Sequence, residues 1–238
     1  MAEKSRLRSI MVAAASGAAG VALYKFVLRP WHLSWGATDE ETLRSLPGDE
    51  IILNPRINAT HALTIDAPPQ AIWPWLVQMG QGRGGMYTYD WIENLMGLNM
   101  KSTDRILPEY QYLQVGDIVP FEPGGNGPPV VQIEPDRALV LGAKADAQSE
   151  GPFKLNDPDP NAYFAVSWLF FLNRMGEDRT RLIERFRLDW YPPNLKNAIY
   201  MYAFLEPGAF LMERGMLLGI KRRAEAYHAE RMQPLPRR

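Results

Sequence analysis

Hydrophobic positions recur with two different periods along this chain, and the points where the period changes mark its elements. Ile57–Asp66, INATHALTID, alternates apolar and polar residues with β-branched members among them, which predicts a first strand. Ala67–Gly97 then changes to helical spacing. Pro68 and Pro69 open a helix with Ile72, Trp75, Leu76 and Met79 on one face, and Gly80 stops it. Pro74 is compatible with that helix only inside its first turn. The GQGRGG that follows offers positions for positive φ or close backbone approach, and a second short helix is expected from about Tyr89, carrying Trp91, Ile92, Leu95 and Met96.

Further on, short strands are predicted at Ile118–Phe121, Val130–Glu134 and Ala138–Ala143, with Asp136-Arg137 as a hairpin turn. Lys144–Asn161 is polar and proline-containing and reads as a surface excursion. Tyr163–Asn173 and Thr180–Trp190 form the clearest strand pair, joined by a compact connection around Gly176-Glu177-Asp178. On the second of these, Leu182, Glu184, Phe186 and Leu188 share one face, and Arg181, Ile183, Arg185 and Arg187 the other. The arginine face is expected to meet solvent, whereas Glu184 falls among inward positions. The chain ends in helical spacing: Leu195–Leu205, an interruption at Pro207-Gly208, then an amphipathic helix marked by Phe210, Met212, Met216, Leu217, Ile220, Ala224 and Tyr227.

The N-terminal stretch is unlike the rest. Lys4, Arg6 and Arg8 precede Ile10–Leu28, an apolar run broken only by Ser16 and Lys25, just long enough for a ~30 Å hydrocarbon core. It predicts a single-pass membrane anchor, with Trp31 and Trp35 as an interfacial belt. A cleaved signal peptide processed around Ala15–Ala19 and a buried or amphipathic helix are the alternatives. Thr38 and Glu41 match a capping box, and Pro47-Gly48-Asp49 a turn. The expected organisation is an anchor over residues 1–29, a connector over 30–56, one domain over 57–230 and a tail over 231–238.

Composition narrows the function. A net charge of −1 leaves no cationic excess to offset phosphates, so nucleic acid is not an expected partner. The absence of cysteine removes disulfides and thiolate chemistry, and His32, His61 and His228 stand in no ligand spacing, so no metal and no cofactor is expected. GQGRGG matches GxGxxG in form but follows a helix, the wrong context for a dinucleotide. There is no nucleophile elbow and no phosphate loop.

The order of elements — strand, two short helices, consecutive antiparallel strands, long helix — defines an α+β fold. With APPQAIWPWLVQMGQGRGGMYTYDWIENL early and MERGMLLGIKRRAEA late, the chain resembles the polyketide cyclase/START-like superfamily (SRPBCC) over roughly Thr38–Tyr227. It is most similar there to actinobacterial, membrane-associated members of unassigned function. The resemblance implies a helix-grip fold: a curved antiparallel sheet around the C-terminal helix, with the two short helices closing a cavity. That superfamily holds lipid-transfer proteins, hormone receptors and cyclases, so the fold leaves the activity open.

Two functions are expected. One is binding or transfer of a hydrophobic small molecule or lipid, tethered to the membrane through the N-terminal helix. Trp75, Met79, Met86, Tyr87, Trp91, Trp168, Phe170, Phe186, Phe210 and Met216 would line the cavity, and Arg83 would hold an anionic head group. The other is a cyclase- or dehydratase-type enzyme on an apolar substrate in that cavity, with His61, Tyr87, Asp90 or Glu93 as acid/base groups.

Overall fold

The computed structural model describes residue 16, residues 19–146 and residues 162–232. From residue 19 the chain is helical, passing through a π-helical turn, Tyr24–Leu28, into α1, Arg29–Leu33. Next comes α2, Asp39–Leu43, whose capping box forms as expected: the Thr38 side chain accepts from the Glu41 N–H and the Glu41 carboxylate from the Thr38 N–H. Strand β1, Ile57–Ile65, leads into α3, Pro69–Val77, and the glycine turn leads into α4, Asp90–Leu95. Then follow β2, Val130–Glu134; β3, Ala138–Asp146; β4, Tyr163–Arg174; and β5, Thr180–Tyr191. The chain finishes with α5, Leu195–Ile199, a second π-helical turn, Tyr200–Leu205, and the 27-residue α6, Glu206–Met232.

The five strands form one antiparallel sheet in the order β1-β5-β4-β3-β2. One face meets α3 and α6 through Ile65, Trp75, Met79, Leu139, Leu141, Trp168, Phe170, Leu182, Met216 and Ile220. This α+β arrangement, a sheet against a long C-terminal helix, fits the helix-grip expectation. Helix α6 packs closely where Gly219 passes Tyr87: a Cβ there would stand 2.0 Å from the Tyr87 carbonyl oxygen, so only glycine lets α6 approach.

The opposite face of β5 corrects one expectation. Arg181, Arg185 and Arg187 do not meet solvent but lie under the segment around α2. Arg181 holds Glu41 through two 2.8 Å bonds, while Asp49 takes Arg185 at 2.7 Å and Arg187 at 2.6 Å. Arg185 also donates to the Glu41, Thr42 and Arg44 carbonyls. Beside them Leu46 packs with Ala62, Val140, Leu169 and Ile183 in a second apolar cluster. Alternation along a strand reports that two faces differ; it does not report what covers either one.

The membrane anchor is the larger correction. Among the described residues no helix is long and apolar enough to cross a membrane. Residues 1–15, 17 and 18 of the predicted anchor and signal region lie outside the described residues. Where the segment is described, Tyr24 and Arg29 are half-buried, while Lys25 stays exposed. The π turn brings Tyr24 and Arg29 onto one face, and Arg29 clasps Glu206 at the start of α6 from Nε and Nη2, at 2.9 and 2.7 Å. Trp31 and Trp35, expected as an interfacial belt, both meet the Phe210 ring.

Three local expectations also change. Pro74 lies in the second turn of α3, not the first. Ile118–Phe121 forms no strand, only a single bridge from Ile118 to Pro129. Pro207-Gly208 does not interrupt the last helix: Pro207 is the second residue of α6, directly after the π-helical turn. In the π register the N–H that Pro207 lacks would have served the Tyr202 carbonyl, which instead accepts the Tyr24 hydroxyl at 3.2 Å. The excursion proposed between Lys144 and Asn161 falls, from residue 147 on, outside the described residues.

Candidate functional site

Two features stand out, one towards each end of α6. The first is a buried polar cluster on the helix-facing side of the sheet. Antiparallel register sets His61 of β1 opposite Glu184 of β5, and Glu184 in turn opposite Phe170 of β4. Glu213 reaches in from α6. His61 is 1% exposed, Glu184 0% and Glu213 7%.

His61 Nδ1 lies 2.8 Å from Glu184 Oε2 and 3.4 Å from Glu213 Oε2, while Nε2 faces the His32 carbonyl at 2.8 Å. With oxygen acceptors at both ring nitrogens, the geometry favours the doubly protonated ring. Burial opposes that charge, but the Glu184 carboxylate, aided by Glu213, outweighs it and raises His61 to about 9. Glu184 also accepts the Trp168 indole N–H at 2.5 Å. Glu213 is pushed up, first by burial and then by the Glu184 charge, with His61 opposing. A small enclosed pocket lined by Ile57, Ala59, Phe186, Leu205 and Phe210 adjoins His61 and Glu213.

Next to this cluster, Glu206 is held between Arg29, His32 and Tyr24. Burial would raise its carboxyl, yet the hydrogen bonds from His32 and Arg29 keep it below the ordinary carboxylate range. The carboxylate is thus committed to binding the N-terminal helix.

The second feature is a groove of about 750 Å³ between α3, the loop at Asp104–Ile106 and the last turns of α6. Trp75, Ile106 and Tyr227 supply apolar lining, and Arg105 and Arg222 are exposed beside it. Among the described residues neither of these side chains forms an ion pair or hydrogen bond, unlike Arg223, which binds Asp104 at 2.8 Å and the Thr103 carbonyl. Among the described residues the buried Trp75 indole N–H has no acceptor.

Of the residues singled out from sequence, Trp75, Met79, Met86, Tyr87, Trp168, Phe170 and Met216 are all buried in the main core. Phe186 is half-buried between two clusters, and Phe210 is ringed by Trp31, His32, Trp35 and His61. Trp91 departs from this set. It is 70% exposed, because α4 is a six-residue helix that buries Glu93 and turns Trp91, two positions earlier, to the far side. Arg83 stacks over Tyr110 and donates to the Val77 carbonyl at 2.9 Å, its charge disfavoured by burial.

The acid/base candidates are not assembled into one set. The Tyr87 hydroxyl donates to the Trp75 carbonyl and burial pushes its pKa up. Asp90 accepts from the Ser102 N–H and hydroxyl. Glu93 is buried with Oε2 unpartnered and raised to about 7 by burial and then by Asp90. Among the described residues no two of His61, Tyr87 and Glu93 share a hydrogen bond or ion pair. Sequence reasoning missed Glu213, although a signal existed. It lies three residues before Met216, four before Leu217 and seven before Ile220, so it is a carboxylate in the apolar stripe of α6.

No protein-family model matches the chain, and no curated protein sequence matches it. Solved structures with a similar outline include a conserved protein from Geobacillus kaustophilus, 13% identical, with a TM-score of 0.38 over 72% of this chain and 97% of that one. Norcoclaurine synthase from Thalictrum flavum is 14% identical, with a TM-score of 0.35 over 68% and 91% of the two chains. The self-sacrificing resistance protein CalC from Micromonospora echinospora is 14% identical, with a TM-score of 0.35 over 73% and 97%. Likeness of this degree carries no activity or ligand over to this chain.

Proposed function

We propose that this protein binds a small molecule with an apolar body and an anionic end in the groove between α3 and the last turns of α6. The observation that carries this reading is the groove itself: about 750 Å³, within the range of small-molecule sites. Trp75, Ile106 and Tyr227 suit the apolar body, and the unpaired Arg105 and Arg222 suit a carboxylate or phosphate. The cationic role expected of Arg83 passes to these two. A cyclase- or dehydratase-type reaction there has less support, because none of His61, Tyr87, Asp90 and Glu93 lines the groove.

Calorimetric titration with decanoate and with decanol tests the reading. Decanoate should bind saturably and more tightly than decanol. Arg222→Ala should narrow the gap by up to about fivefold, as an exposed ion pair contributes roughly 0.2–1 kcal/mol. Trp75→Phe, which removes the N–H and keeps an aromatic ring, should weaken a ligand that accepts from it by about two- to tenfold. Absence of saturable binding by either probe, or equal affinities in wild type and both variants, would exclude the groove as the site.

A further inference from the structure

The cluster at the other end of α6 is built for something the groove does not require. We propose that His61, Glu184 and Glu213 form a binding site for one divalent first-row transition-metal cation. Their donor atoms come from three separate elements, β1, β5 and α6, and all lie within 4.8 Å of one another. Two ligands bonded at ~2.1 Å to one ion stand about 3.0 Å apart at a right angle and about 3.4 Å apart at the tetrahedral angle. His61 Nδ1 is 2.8 Å from Glu184 Oε2 and 3.4 Å from Glu213 Oε2, so small side-chain adjustments admit an ion among them.

Glu213 supplies an independent indication. Its carboxylate belongs to a residue only 7% exposed, borders the enclosed pocket and has no hydrogen-bond donor of its own among the described residues. Its single close partner, His61 Nδ1, is nearer to Glu184. A buried carboxylate without a donor is costly, and a cation satisfies it directly. In formal charge, two carboxylates and one imidazole balance a doubly charged ion.

The surroundings also hold each donor in place. The His32 carbonyl receives His61 Nε2–H, so an ion that displaces the Nδ1 proton meets an Nδ1 lone pair already directed towards the two glutamates. The Trp168 indole N–H occupies Glu184 Oε1 and leaves Oε2 to face the centre. The adjoining pocket, of about 10 Å³, has room for one water-sized ligand in a further coordination position. One nitrogen with two carboxylates suits Mn²⁺, Fe²⁺, Co²⁺ or Zn²⁺.

The test uses the full chain after dialysis against a chelator, titrated with Co²⁺ by visible absorption and with Zn²⁺ by calorimetry. One equivalent of Co²⁺ should bind with new visible bands, and Zn²⁺ should abolish them. Glu213→Gln keeps the side-chain shape and should weaken Co²⁺ at least tenfold with an unchanged circular dichroism spectrum. His61→Ala removes a core side chain and risks misfolding, so Glu213→Gln carries the decision. Absence of stoichiometric uptake would overturn the proposal. So would equal affinity in folded Glu213→Gln, which would move the metal elsewhere, for instance to His228 and Asp178 at the surface. Decanoate binding to the groove is read separately, so either proposal can fail alone.

Discussion

Replacing Glu93 by Gln should change how the protein's stability depends on pH, and the sign and size of that change follow from the structure. Glu93 is 4% exposed, its Oε2 has no partner among the described residues, and Asp90 lies one turn away. Burial, then the Asp90 charge, raises its carboxyl from the ordinary 4.5 to about 7. The folded state therefore holds this proton more tightly than the unfolded chain, and stability falls as pH rises from about 4.5 to about 7, then levels off. At about 1.4 kcal/mol per pH unit, the ceiling is about 3 kcal/mol; relaxation and partial hydration bring the expected effect to about 1–2 kcal/mol. In Glu93→Gln that portion of the slope should vanish. The variant should match wild type within about 0.5 kcal/mol at pH 4.5 and exceed it by about 1–2 kcal/mol at pH 8. Urea unfolding followed by tryptophan fluorescence across this range measures the difference, and other titrating groups cancel between the two proteins. Parallel pH profiles for wild type and variant would refute the assignment of a buried, unpaired carboxyl to position 93.

Two further substitutions probe the packing that frames both sites. Gly219→Ala forces a Cβ to within 2.0 Å of the Tyr87 carbonyl oxygen and should destabilise by about 1–3 kcal/mol; an unchanged denaturation midpoint would mean that α6 does not pass Tyr87 this closely. Asp49→Ala leaves the Arg185 and Arg187 guanidiniums without their shared carboxylate and should cost about 3 kcal/mol or more in chemical denaturation. A loss below about 1 kcal/mol would restore the solvent-exposed reading of that strand face.

Local chemistry was legible wherever neighbours in sequence are also the interacting partners. The Thr38/Glu41 capping box, the hairpin around Gly176 and the positive φ of Gly80, Gly82 and Gly85 all follow from a few consecutive residues. The alternation in β5 likewise placed Glu184 inward. What the local pattern could not carry was the identity of the covering layer. The same alternation that made Arg181, Arg185 and Arg187 a polar face is satisfied by water or by Glu41 and Asp49, and only the path of the chain between α2 and β1 selects the latter. The apolar run before Leu28 predicts a membrane anchor from its hydrophobicity alone. Yet Tyr24, Arg29 and His32 within or beside it decide its place, because their partner, Glu206, lies more than 170 residues away.

The sequence alone therefore determined most of the elements, their order and the α+β class, since periodicity and caps are short-range properties of the chain. Tertiary structure alone decided that His61, Glu184 and Glu213 meet. They are separated by 123 residues and by 29 residues in sequence, and strand register and the close passage of α6 over Tyr87 bring them together. A polar group's chemistry depends on its neighbours and its access to water, and neither exists until the chain has folded.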